Sequence, residues 1–206
     1  MQQGLFITFE GTEGAGKTTA LAALRAWFEQ KGMEVCATRE PGGTPLAEEL
    51  RSLLKTPRDE PVAAQTELLL LFAARAQHLE RVIRPALARN AVVLCDRFTD
   101  SSIAYQGAAR GQDQALIEQL AVMVHGDCWP DKTFWLDLPV ETGLQRAAGR
   151  GAADRFEQET VAFFERARAG FAQLADQEPQ RICRIDASNN AEQVAADIIK
   201  QAQQWW

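Results

Sequence analysis

Short apolar runs alternate with long amphipathic segments along this chain. Leu5–Glu10, Glu34–Arg39, Ala91–Asp96, Thr133–Leu138 and Arg181–Asp186 are brief runs with β-branched or aromatic residues, and each predicts a strand. Between them apolar residues recur three and four apart. That spacing predicts helices over Thr18–Lys31, Leu46–Leu54, Gln65–Arg89, Gln112–Val124, Val140–Arg150, Gln158–Ala175 and Glu192–Gln203. Boundary residues agree: Gly32 follows the first helix, Pro139 follows the fourth strand, and Pro57 and Pro61 bracket the loop before the longest helix. Asn189 with Glu192 three residues on reads as a capping box. Strands separated by helices predict an α/β fold, a parallel sheet covered on both faces. No internal repeat or linker breaks the pattern, so one domain over residues 1–206 is expected. Ligands of such sheets bind beyond the carboxyl ends of the strands.

Composition narrows the class. With 206 residues, 46% of them hydrophobic, the chain can bury one sizeable core. A net charge of -6 and a pI near 5.1 argue against non-specific nucleic-acid binding, which needs a basic face. "MQQGLFITFE" lacks the basic and long apolar regions of a signal peptide. No run reaches the ~18 apolar residues of a membrane span. Cys36, Cys95, Cys128 and Cys183 are scattered without a C-x-x-C pair, so a reduced, cytoplasmic protein is expected. Two distant histidines offer no metal pair.

The chemistry starts between the first strand and the first helix. Gly11, Thr12, Glu13, Gly14, Ala15, Gly16, Lys17 and Thr18 match the phosphate-binding P-loop G-x-x-x-x-G-K-[ST], with Thr19 next in the helix. The glycines let backbone N–H groups turn around a phosphate, and the helix adds its positive end. Lys17 reaches the terminal phosphates, and the Thr18 hydroxyl coordinates Mg²⁺. At the end of the third strand, "VVLCDRF" presents Asp96 as a second magnesium ligand and Arg97 as a forked cation. The stretch Gly143–Glu159 carries Arg146, Arg150 and Arg155 among small residues and reads as a lid bringing cations to a transferring phosphoryl group. The P-loop holds no arginine, so those cations must come from elsewhere. An N-K-x-D base motif is absent, which disfavours a switch GTPase and favours a small kinase.

"FEGTEGAGKTT", "TREPGGTPLAEELR", "LLLLFAARAQHLERVIRPAL", "VVLCDRFTDSSIAYQGAARG", "PDKTFWLDLPVETGLQRA" and "DRFEQE" occur in that order. Together they resemble the bacterial thymidylate kinase family from about Leu5 to Asp186. The resemblance implies a three-layer P-loop NTPase fold with an arginine-bearing lid near 143–159. It implies transfer of the γ-phosphoryl of ATP to dTMP, with Mg²⁺, in a homodimer.

It also implies roles. Glu13 approaches the deoxyribose 3′-hydroxyl. Arg39, Glu40 and Pro41 line the monophosphate pocket, and Arg51 and Arg97 hold the dTMP phosphate. Arg75 bonds the thymine, with Ser101, Ser102 and Gln106 as further base contacts. Tyr105 packs near the sugar 2′ position and disfavours a ribonucleotide. Many members place an aromatic residue four before the base-binding arginine; here that position is Leu71, and Phe72 lies three before Arg75. Both offsets share a helix face, so either could cover the thymine ring, and Phe72 is counted among the dTMP contacts. Ala148 stands where some relatives carry an arginine, so Arg150 is the main lid cation and Arg146 a second contact to ATP. The loop at Ile185–Ser188 lies beside adenine. Two other readings stay open: a P-loop kinase with a different small acceptor, and a nucleotide-binding regulatory module without turnover.

Overall fold

The computed structural model describes residues 4–148 and 154–205. The predicted strands form as β1 (Leu5–Glu10), β2 (Val35–Arg39), β3 (Val92–Asp96), β4 (Lys132–Asp137) and β5 (Ile182–Asp186). They pair in the order β2-β3-β1-β4-β5, all parallel. The register sets Phe9 opposite Asp96, and Asp96 opposite Arg39. The carboxyl ends of β1, β2 and β3 therefore finish level, which brings three functional segments to one edge.

Side chains alternate between the two faces of the sheet. Ile7, Phe9, Leu94, Phe134 and Leu136 pack on Leu24 and Phe28 of α1 (Lys17–Gln30) and on Val194 and Ile198 of α9 (Ala191–Trp205). Trp205 stacks on Phe134 and seals this layer, with ring centroids 4.9 Å apart. Phe6, Val93 and Cys95 face the other way, against Leu79, Ile83, Ala86 and Phe98. On that side Trp135 and Ile182 meet Phe163, Phe164 and Phe171 of α8 (Val161–Gln177).

The remaining helices are α2 (Pro45–Lys55), α3 (Ala64–His78), α4 (Arg84–Ala88), α5 (Thr99–Ser102), α6 (Gln114–His125) and α7 (Val140–Ala147). Three differ from expectation. The long Gln65–Arg89 helix is α3 and α4 joined by a π-helical turn at Leu79–Ile83. The turn lies just before Pro85, whose ring has no N–H for the helical ladder and crowds the preceding turn. A helix-like segment absent from the sequence pattern runs from α5 through a π-helical stretch, Ile103–Ala109. Its "TDSS" start is poor in helix formers; α8 holds it in place. Gly170 of α8 permits the close approach, since a Cβ there would lie 2.8 Å from the Ala108 Cβ. The third difference is the cap of α9. Asn190, not Asn189, accepts the Gln193 N–H through its Oδ1 at 2.9 Å.

Among the described residues, no helix is long and apolar enough to cross a membrane. The cap assignment has a direct check. Asn190→Ala should lower unfolding free energy by about 1 kcal/mol in urea titrations. Asn189→Ala should stay within about 0.5 kcal/mol of the parent.

Candidate active site

The segment Gly11–Thr18 runs from β1 into α1 as a loop. Gly11, Gly14 and Gly16 have φ of 137°, 73° and 89°, values that side chains with a Cβ rarely adopt. Gly16 caps α1 without any side-chain acceptor, so the helix start is open to a ligand. Lys17 folds back over this loop. Its Nζ donates to the carbonyls of Gly11 and Thr12 at 2.9 and 3.0 Å. Burial lowers the Lys17 pKa to about 8, helped by Arg97 and opposed by Asp96, Glu13 and Glu10. The loop also rests on α7. A Cβ at Gly14 would collide with the carbonyl of Gly143, and one at Gly143 with the carbonyl of Glu13.

Glu13 projects from the loop onto Arg97 and Tyr105. Its Oε1 accepts from Arg97 Nη2 at 2.9 Å, and its Oε2 accepts from the Tyr105 hydroxyl at 2.8 Å. Arg97 is one of two described non-glycine residues with a positive φ, 72°. Its guanidinium also donates to Ser101 Oγ at 3.1 Å and lies 4.9 Å from the Tyr105 ring centre. Burial disfavours its charge, yet Tyr105, Glu13, Asp96 and Glu10 hold it further into the cationic range. Under it sits Glu10, fully buried at the end of β1. Glu10 accepts from the Phe98 N–H at 2.7 Å and from the Ser101 hydroxyl at 2.5 Å. Burial and the Asp100 charge push its pKa up to about 8, against Arg97, Ser101 and the Phe98 N–H.

Arg75, on α3, is 3% exposed. Its Nε donates to Glu40 Oε2 at 2.6 Å, and its Nη2 donates to the Phe98 carbonyl and to Ser102 Oγ. Its Nη1 is buried with no protein partner. Glu40 takes His78 Nδ1 on its other oxygen, 3.0 Å away, and His78 Nε2 lies 2.7 Å from Thr38 Oγ1. Against burial, Arg75 and His78 keep the Glu40 carboxyl below its ordinary pKa.

One cavity of about 320 Å³ connects these groups. Gly16, Lys17, Thr18, Thr19 and Asp96 line one part of it; Glu40, Pro41, Arg51, Arg75, Ser101, Ser102, Tyr105 and Gln106 line another. Glu13 and Arg97 line it too, and their ion pair joins the two sets.

The family model described as "Thymidylate kinase" matches residues 9–198. A thymidylate kinase of Pseudomonas putida strain F1 is 60% identical, covering 95% of this chain and 93% of its own length. One from Teredinibacter turnerae strain T7901 is 55% identical, covering 95% of each. The chain belongs to the thymidylate kinase family. The crystal structure of the thymidylate kinase from Ehrlichia chaffeensis, 36% identical, superposes with a TM-score of 0.79, covering 98% of this chain and 99% of that one. The fold is thus the P-loop kinase fold of the thymidylate kinases.

The residues expected from sequence differ in what the structure sets around them. Leu71, not Phe72, lines the cavity. Leu71 precedes Arg75 by four residues, so the two stack along one helix face. Phe72 lies one helical step round, buried with Leu68, Ile117 and Ala121, and holds the Arg75 guanidinium 4.6 Å from its ring centre. Arg146 is not a cavity residue. It clamps the β5–α9 loop instead, donating to the carbonyls of Ala187 and Ser188. Arg155 is occupied away from the phosphate loop, donating to the Leu54 carbonyl and lying 2.6 Å from Glu67. Arg150 lies outside the described residues. Ser102 and Gln106 line the cavity, but each also serves a neighbour: Ser102 accepts from Arg75, and Gln106 donates to Glu67. Arg51 lines it while donating to the Pro41 carbonyl at 2.8 Å.

Sequence reasoning passed over Glu10, Phe98 and Lys55. The signal for Glu10 was present, a charged residue closing a strand that is otherwise apolar apart from Thr8. Lys55, in the cavity wall, pairs with Asp154 at 2.6 Å and carried no local signal.

The Lys17 pKa makes a measurable prediction. A bound diphosphate stabilises the ammonium and raises its pKa, so binding takes up a proton above about pH 8. ADP affinity in metal-free buffer should weaken from pH 7 to pH 9, and calorimetry in buffers of different ionisation enthalpy should show proton uptake. An affinity flat across that range would contradict the assignment.

Proposed function

We propose that the chain transfers the γ-phosphoryl group of ATP to dTMP, giving ADP and dTDP. The supporting observation is the buried, unpartnered Nη1 of Arg75 in the same cavity as Lys17. A guanidinium N–H without a protein acceptor is costly unless a ligand supplies one. A base carbonyl meets that need, and the phosphate loop lies at the other end for the donor.

The remaining groups divide the labour. Lys17 and the open start of α1 hold the donor phosphates. Arg97 and Arg51 hold the acceptor phosphate and screen repulsion between two anions. Arg150 stabilises the charge on the transferring group, and Arg146 shapes the adenine side through the loop it clamps. A phosphate monoester is already ionised at neutral pH, so direct in-line attack needs no general base and no covalent intermediate. Tyr105 spends its hydroxyl on Glu13, so a ribose 2′-hydroxyl would meet a satisfied group rather than a free partner. Thr18 and Asp96 suit a magnesium ion: both line the cavity, and Asp96 Oδ1 is buried without a hydrogen-bond partner. When bound, magnesium supplies charge neutralisation at the phosphates.

The working unit in this reading is a cytoplasmic homodimer of single-domain subunits, each with its lid at 143–159. Leu69 on α3, and Val122 and Met123 on α6, are 50%, 66% and 73% exposed. These neighbouring helices present apolar surface suited to a second copy. The four cysteines are free, which accords with a reducing compartment.

Three measurements test these claims. ADP release should depend on dTMP and fall sharply with thymidine, dUMP or ribosyl TMP; indifference to the acceptor would sink the assignment. Arg150→Ala should lower kcat by roughly 10³-fold, as for other phosphoryl-transfer arginines, and a value within twofold of the parent would remove Arg150 from the mechanism. Met123→Glu should shift the mass seen by light scattering from dimer to monomer.

A further inference from the structure

We propose that Glu10 is the positioning residue of Arg97, setting both its backbone and its guanidinium for the acceptor phosphate. The inference rests on the reading of Arg97 as an acceptor-phosphate ligand.

Arg97 adopts a left-handed backbone, φ 72°, that a long side chain adopts only when its surroundings impose it. Two hydrogen bonds impose it here. Its own N–H donates to the Phe9 carbonyl at 2.9 Å, continuing the β1–β3 ladder one step past the strand. The next N–H, that of Phe98, donates to Glu10 Oε1 at 2.7 Å. The peptide leaving Arg97 is thereby tied to the residue that follows Phe9 in β1. Without the carboxylate, a buried N–H beside a strained residue has no acceptor, and the backbone is free to relax.

The second oxygen of Glu10 acts on the side chain. It accepts the Ser101 hydroxyl proton at 2.5 Å. That donation orients the Ser101 lone pairs toward Arg97, whose Nη1 donates to Ser101 Oγ at 3.1 Å. Arg97 Nη2 then falls on Glu13 and Tyr105. One buried carboxyl group thus fixes the turn from which the arginine springs and the hydroxyl that steers its head. Glu10 is 0% exposed and does not itself line the cavity; it reaches the site only through the lining residues Phe98, Ser101 and Arg97, and not through the ligand.

A double-mutant cycle tests this. Glu10→Gln keeps size and burial but supplies an amide N–H where Ser101 donates. The expected result is a rise of about tenfold in KM for dTMP, the worth of one buried hydrogen bond lost, with KM for ATP within twofold. In an Arg97→Gln background the same change should have no further effect, because the residue it positions is gone. Folding is followed by ADP binding at the phosphate loop. A Glu10→Gln protein that no longer binds ADP overturns the proposal, since the carboxylate then holds the loop as a whole. Equal penalties in both backgrounds overturn it too. If Arg97→Gln leaves KM for dTMP unchanged, the acceptor role of Arg97 fails instead, while an effective Arg97→Gln with a silent Glu10→Gln sinks Glu10 alone.

Discussion

The parallel pairing of β1 with β3 is the contact on which the site depends. It sets Phe9 beside Asp96, so the phosphate loop and the Asp96–Arg97 turn leave the sheet at the same height. A slip of one residue would send each of these side chains to the opposite face. Apolar packing prevents the slip: Phe6 and Val93 are buried in one layer, Ile7 and Leu94 in the other. The charges of the site are thus brought together by the core beneath them. Their own attraction could not do this, since burying an ion pair costs about as much in lost hydration as it returns.

That cost explains how the charged groups are arranged. Most of the shielded arginines near the cavity lie against a carboxylate: Arg75 on Glu40, Arg97 on Glu13, and Arg110 and Arg155 together on Glu67. Deeper in the fold Arg181 has Asp100. The pairs let an acidic chain, net charge -6, gather cations around one cavity without leaving them bare in the apo protein. They also aim them. A guanidinium held through two of its nitrogens has little freedom left for the third, and Arg75 Nη1 is directed in this way.

Much of this was legible in the sequence because the signals were local. The phosphate loop is contiguous, its glycines have backbone reasons, and the strands announce themselves by apolar runs. Asp96 and Arg97 could be placed from their position at the end of β3. What stayed hidden depends on helical phase or on distant partners. Leu71 and Phe72 differ by one step of about 100°, and only the packing of α3 on α6 decides which ring or chain faces the cavity. The segment Thr99–Ala109 has weak intrinsic preference and owes its shape to α8. Arg155 looked like a lid cation by its neighbours in sequence. Its partners, Leu54 and Glu67, lie far upstream, and no pattern around residue 155 points to them.

The meeting of Gly14 with Gly143 has a mechanical side. Where side chains mediate a contact, their torsions absorb small displacements. Here main chain bears directly on main chain, so the junction has no compliance. The phosphate loop and α7 therefore meet as a rigid joint, with room for glycine on both sides and nothing larger on either. The next link, from α7 to the loop at Ala187 and Ser188, runs through the Arg146 side chain and is the softer of the two.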